Sequence, residues 1–161
     1  MNAALREAAE RFSIRARLVA QEGRTLDSEA TERLEVDLAG MLPEWYATLL
    51  EELPLCDLAF DLPWPDGDGR EPLSLRLNDD EAIRAESLEM EPGMQALPLG
   101  YVCIAYDETG KGHSLFLTAQ EGDDPPVYLL DRTAPMPVEG RIRVRATLSQ
   151  VFRDAVLEQV L

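Results

Sequence analysis

Apolar residues recur at three- and four-residue steps through residues 3–21, where Leu5, Ala8, Ala9, Phe12, Ala16 and Val19 share a stripe that Arg6, Glu10, Arg11 and Arg17 avoid. That spacing predicts an amphipathic helix, and Gly23 is its expected stop. A second helix is expected to begin at Asp27 or Ser28, where an acidic first turn suits the helix dipole, and to run through Leu34 and Leu38 to Gly40. Pro43 opens a third, 43–53, since a missing N–H costs nothing in a first helical turn. Trp45, Leu49, Leu50 and Leu53 are its expected inward face.

The period then changes. Residues 55–62 alternate imperfectly, with Cys56, Leu58, Phe60 and Leu62 on one side, as in a strand with one wet face. A Pro/Gly/Asp loop at 63–69 separates it from a second short strand carrying Leu73, Leu75 and Leu77. Asn78 is the expected cap of a helix at 79–89. Residues 97–131 form the centre of the pattern: three runs, 101–106, 114–118 and 127–130, are rich in β-branched, aromatic and aliphatic residues and separated by turn-forming segments. They predict an antiparallel meander. Both faces of the first run are apolar, with Tyr101, Cys103 and Ala105 on one and Val102, Ile104 and Tyr106 on the other, so both need cover. Residues 141–145 alternate Arg with Ile142 and Val144 as an edge strand, an arrangement that argues against pairing between subunits. Thr147 and Gln150 form a capping-box start to a last helix whose apolar face is Leu148, Val151, Phe152, Ala155, Val156 and Val160. The expected fold is α+β: one domain over 1–161, with a mainly antiparallel twisted sheet covered by N-terminal helices and a C-terminal helix.

Charge narrows the function. With 45% apolar residues the chain can bury a core, so its net charge of −16 marks an acidic folded surface rather than disorder. Long-range repulsion disfavours nucleic acid and anionic membrane, and favours a basic protein partner. The candidate contacts fall in two acidic regions. One holds Asp61, Asp66, Asp68, Asp79 and Asp80, with Trp64 as a possible aromatic anchor; the other holds Asp107, Glu108, Glu121, Asp123 and Asp124 in the meander turns. The competing reading is a solvated acidic surface, with Trp64 folded over the core edge. Cys56 and Cys103 lie in apolar runs and are expected to be buried free thiols. The N-terminus lacks the long apolar stretch of a signal peptide and no run approaches the ~18 residues of a membrane span, so a cytoplasmic protein is expected, either a monomer or a weak dimer.

Three segments resemble the SUKH superfamily, in its Smi/Knr-type branch. They are Leu42-Pro43-Glu44-Trp45-Tyr46, the 97–131 meander with Asp107, Gly110, Gly112 and Pro126-Val127-Tyr128, and Ala146 through Phe152. The family-like core would span 28–157, leaving residues 1–24 as an extra N-terminal helix. An Asn-Gly pair common after the family's first helix is replaced by Leu55-Cys56-Asp57, and His113 stands where the family more often has an acidic or polar residue. The resemblance implies a non-enzymatic immunity protein that binds and neutralises a cognate toxin, frequently a nuclease. The alternative is a regulatory or scaffolding module of the same fold.

Catalytic and cofactor signatures are weak. His113 is the single histidine, and it would have to serve every Ser/His/Asp or Cys/His scheme. The 66–70 segment starts like a calcium loop but places Arg70 at the third ligand position and Leu77 where the closing Glu belongs. Gly110-Lys111 lacks the upstream glycine and following Ser/Thr of a phosphate loop. Neither enzyme chemistry nor a cofactor or metal is expected.

Overall fold

The computed structural model describes residues 1–65 and 69–157. Three helices come first: α1 (Ala3–Leu18), α2 (Ser28–Asp37) and α3 (Glu44–Glu52). Strands β1 (Ala59–Leu62) and β2 (Leu73–Leu77) follow, then helices α4 (Asp80–Leu88) and α5 (Gly93–Ala96). The meander β3 (Tyr101–Asp107), β4 (His113–Thr118) and β5 (Val127–Asp131) leads to β6 (Ile142–Arg145) and the last helix, α6 (Leu148–Asp154). The strands form one sheet in the order β1-β2-β3-β4-β5-β6, and each neighbouring pair is antiparallel. The architecture is therefore α+β. The sheet curls so far that Arg145, ending β6, donates from Nη2 to the Pro63 carbonyl just past β1 at 2.8 Å.

Most apolar side chains converge on one core. Leu5, Ala9 and Phe12 of α1, Leu34 of α2, Tyr46, Leu49 and Leu50 of α3, and Val151 and Phe152 of α6 pack with Phe60, Leu75, Val102, Leu115 and Leu129 of the sheet. Phe12 sits at its centre, with ring centroids 5.6 Å from Phe60 and 5.2 Å from Phe152. On the opposite face a smaller cluster of Ala96, Cys103, Phe116 and Leu130 is flanked by Tyr101, Tyr128 and Val138. The β3 alternation departs from expectation at Ala105, which joins Val102 and Ile104 in the main core. A register shift between Cys103 and Ala105 inserts an extra residue, and such a bulge resets which face each side chain takes.

Several boundaries move for identifiable reasons. The first helix ends at Leu18, earlier than Gln21, because Ala20 adopts a left-handed φ of 63° and Gln21 N–H returns to the Ala16 carbonyl at 2.9 Å. Gly23 is not the stop; a Cβ there would lie 1.9 Å from the Pro54 carbonyl oxygen, so glycine permits two backbones to touch. Asn78 is not the α4 cap. Asp79 takes that role, accepting from Ala82 N–H at 2.8 Å, while buried Asn78 donates from its backbone to Ile104 O and from Nδ2 to Cys103 O. In α3, Tyr46 and Ala47 join Leu49 and Leu50 inside, and Trp45 and Leu53 lie half-buried at the margin. Ile142 is 43% exposed on the sheet edge. Val156 is not on the α6 face: the chain leaves the helix at Ala155, and Val156 exchanges two 2.8 Å backbone hydrogen bonds with Asp61 on the edge of β1. Val160 lies outside the described residues.

Candidate functional site

The edge of β1 is satisfied from two directions, and this arrangement builds a cleft. Val156 pairs with Asp61, and the side-chain amide of Gln21 takes both backbone groups of Ala59, as a neighbouring strand would. Carrying the chain past Ala20 to place Gln21 there also brings Glu22 beside β1 and β2. The resulting cleft, about 570 Å³, is lined by Glu22, Asp57, Asp61 and Glu108 together with Gln21, Ser74 and Arg76.

The four carboxylates of the cleft are unequally committed. Asp57 lies in the turn before β1 with a left-handed φ of 74°, and its Oδ2 accepts from Arg24 Nε at 2.9 Å. Arg76 reaches Glu108 through Nε at 3.0 Å and donates from Nη1 to the Asp57 carbonyl at 2.6 Å. Among the described residues, the Asp61 carboxylate accepts only a neutral hydrogen bond, from the Ser74 hydroxyl at 3.0 Å. Among the described residues neither Glu22 nor Asp61 has a cation within ion-pair distance. The cleft thus carries an excess of negative charge around one guanidinium, an electrostatic environment that favours cationic groups over anionic ones.

The expected contact residues are dispersed over several structural roles. Asp61 and Glu108 meet in the cleft; Asp57 and Glu22, not singled out in the sequence, complete it. Alternation marked Asp57 as wet, whereas nothing local distinguishes Glu22, whose position follows from the helix stop at Ala20. Asp79 caps α4 and pairs with Arg24 Nη2 at 2.5 Å. Asp80 stands in the first turn of the same helix, in a separate hollow with Asp37 and Arg84. Asp107 closes the β3–β4 turn: burial alone would raise its pKa, but donors from Thr109 and the His113 N–H outweigh that and hold it below the ordinary carboxylate value. Glu121 accepts from the Thr118 hydroxyl at 3.4 Å, and Asp123 is exposed. Asp124 is a brace across the fold, accepting from the backbone N–H of Ser149 at 2.9 Å and from its hydroxyl, at the start of α6. Asp66 and Asp68 lie outside the described residues.

Trp64 folds against the core margin. Its Nε1 donates to Glu71 O at 2.9 Å, and Arg70 lies 4.7 Å above the ring. The His113 ring stands nearly perpendicular to that indole, centroids 6.2 Å apart, with Nε2 3.8 Å from Asp131 Oδ2. Cys56 and Cys103 are free and buried, and burial pushes both thiols up, that of Cys56 to about 12. Among the described residues, no three or more His, Cys, Asp or Glu side chains are grouped to hold a metal ion, and no helix is long and apolar enough to cross a membrane. Compared with protein-family models, curated proteins and solved structures, the chain matches none.

Proposed function

We propose that this protein acts by binding, and that it neutralises a basic protein partner, a cognate toxin domain as the SUKH resemblance implies, by receiving cationic side chains in the cleft between Glu22, Asp57, Asp61 and Glu108. The observation that carries this reading is the imbalance of the cleft: four carboxylates surround Arg76, and two of them lack any cation of their own among the described residues. A net charge of −16 supports it at longer range, by steering a positively charged domain toward the surface before contact. A nuclease presents such a face to its own substrate, and an acidic protein seated on it blocks access without any bond being made.

The test is protection. The partner to seek is a large secreted protein ending in a small basic domain in a neighbouring reading frame, with that domain expressed with or without this chain. Co-expression should restore growth, and the purified pair should bind with an affinity that falls as salt rises. The double substitution Glu22→Gln and Asp61→Asn should weaken binding at least tenfold. It removes two charges but retains an acceptor for the Ser74 hydroxyl, so the fold should be kept. Full protection by that variant would move the contact elsewhere, and absence of any complex would overturn the reading.

A further inference from the structure

The two ends of the sheet are treated in opposite ways. At β1 the backbone groups of Ala59 are taken by the Gln21 side chain and those of Asp61 by Val156. At β6 the inner edge pairs with β5, and among the described residues no strand or isolated bridge lies along the outer one. An open edge is a template for another strand, so its side chains decide what can add to it.

Those side chains are cationic on an anionic molecule. Arg141 and Arg143 are both exposed, and Arg143 has no ion-pair partner among the described residues. Arg141 is laid over the rings of Tyr101 and Tyr128, at 5.8 and 5.4 Å from their centroids, which holds its charge at the end of the strand. Arg143 sits opposite Tyr128 in the ladder and shares its face, whereas Ile142 sits opposite Leu129 and is 43% exposed on the other. Arg145 closes the far end, its guanidinium held by Asp154 and the Pro63 carbonyl and donating at 2.6 Å to the Val144 carbonyl, which is thereby taken. The usable edge is therefore short and has two different faces.

We infer that β6 is a docking edge for an extended acidic segment of a partner chain, which adds as a further antiparallel strand with an acidic residue against Arg143 and an apolar one over Ile142. The charge pattern selects this occupant. A second copy pairing through the same edge would set arginine against arginine, while a strand alternating carboxylates with aliphatic residues forms cross-strand ion pairs on one face and covers Ile142 on the other. The backbone supplies hydrogen bonds and Arg143 supplies selection. This edge is separate from the acidic cleft and takes a partner of the opposite charge.

The probe is a synthetic heptapeptide alternating valine with glutamate, titrated into the ¹⁵N-labelled protein. Expected are amide shifts confined to β6 and its neighbours on β5, no response at β6 to the same peptide with lysine for glutamate, whose shifts belong to the acidic cleft, and at least tenfold weaker binding to Arg143→Glu. Because Arg143 is exposed, that variant should keep its melting temperature. No shift at millimolar peptide, shifts of the glutamate peptide located elsewhere, or equal binding of the lysine peptide at β6 would overturn the proposal. So would a concentration-dependent dimer dissolved by Arg143→Glu, which would give the edge to a second copy.

Discussion

The side chain of Gln21 acts as a one-residue strand for Ala59: Nε2 donates to the Ala59 carbonyl and Oε1 accepts from its N–H, both at 2.9 Å. Gln21 is itself 8% exposed, so these bonds are made largely away from water. Gln21→Ala leaves a backbone donor and an acceptor without partners and should cost about 2 kcal/mol, since unmade hydrogen bonds in buried surroundings carry most of their desolvation penalty. Denaturant unfolding measures the loss directly. Gln21→Glu keeps the acceptor but turns a carboxylate oxygen toward the Ala59 carbonyl in a cleft already negative, so at pH 7 its midpoint should fall at or below that of the alanine variant.

Two glycines separate close contact from backbone conformation. Gly23 has no left-handed φ, but a Cβ there would meet the Pro54 carbonyl carbon at 2.8 Å and its oxygen closer still. Gly40 has a φ of +79° and nothing within 4 Å of an added Cβ. Gly23→Ala must push apart the Arg24–Cys56 bridge and should cost ~3 kcal/mol or more, as overpacking against backbone cannot be relieved by a rotamer change. Gly40→Ala should cost only about 1 kcal/mol, the left-handed penalty alone. Equal losses in thermal unfolding would contradict this division.

Neighbouring acids in the β4–β5 connection should behave differently. Asp124 accepts two hydrogen bonds from Ser149 and ties that connection to the start of α6; Asp123 is exposed and makes no such contact. Asp124→Ala should lower stability by about 2 kcal/mol, the upper end for losing a helix cap. Asp123→Asn should stay within ~0.5 kcal/mol. The pair also guards against a misreading of the functional test, because lost protection in an Asp124 variant would report a loosened helix rather than a lost contact.

Much of the fold follows from local pattern, and the exceptions have non-local causes. Leu5, Ala8, Phe12 and Ala16 can be read as a buried stripe from spacing alone, and the alternation of Leu73, Leu75 and Leu77 survives in the folded strand. Thr147 caps α6 as its spacing to Gln150 predicts. Asn78 looks like a cap because its residue type suits one, but Asp79 has the same chemistry one position later and Asn78 is claimed by Cys103 and Ile104 across the sheet. Ala105 changes face because of a bulge that depends on the partner strand. The cleft was half legible. Asp61 and Glu108 stand out as acids beside strand ends, while Glu22 joins them only because Ala20 accepts a left-handed turn that an alanine does not advertise. Conversely, Asp79, Asp107 and Asp124 look like contact residues in a charge map but are used by helix ends and a turn.

Acid should act in opposite directions at different carboxylates. Asp131 is held below the ordinary value by the Thr133 hydroxyl and N–H; in Asp107, burial pushes upward but the donors of Thr109 and His113 win. A depressed folded pKa contributes stability that is present above the unfolded value, about 4, and is lost as pH falls through the folded one. Glu86 runs the other way: burial raises its pKa and Arg132 offsets this only in part. Its ionised form therefore costs stability at neutral pH, and that cost vanishes once the unfolded carboxyl is also protonated. Asp107→Asn should lower the melting temperature at pH 7 and lose that effect progressively as pH falls below the unfolded value of about 4 and through the folded one. Glu86→Gln should raise it at pH 7 and match the wild type near pH 3. Melting curves of both variants across this range carry the test: a Glu86→Gln gain that persists at pH 3 would point to packing rather than ionisation, and parallel curves for Asp107→Asn would remove the turn hydrogen bonds as the source of its depressed pKa.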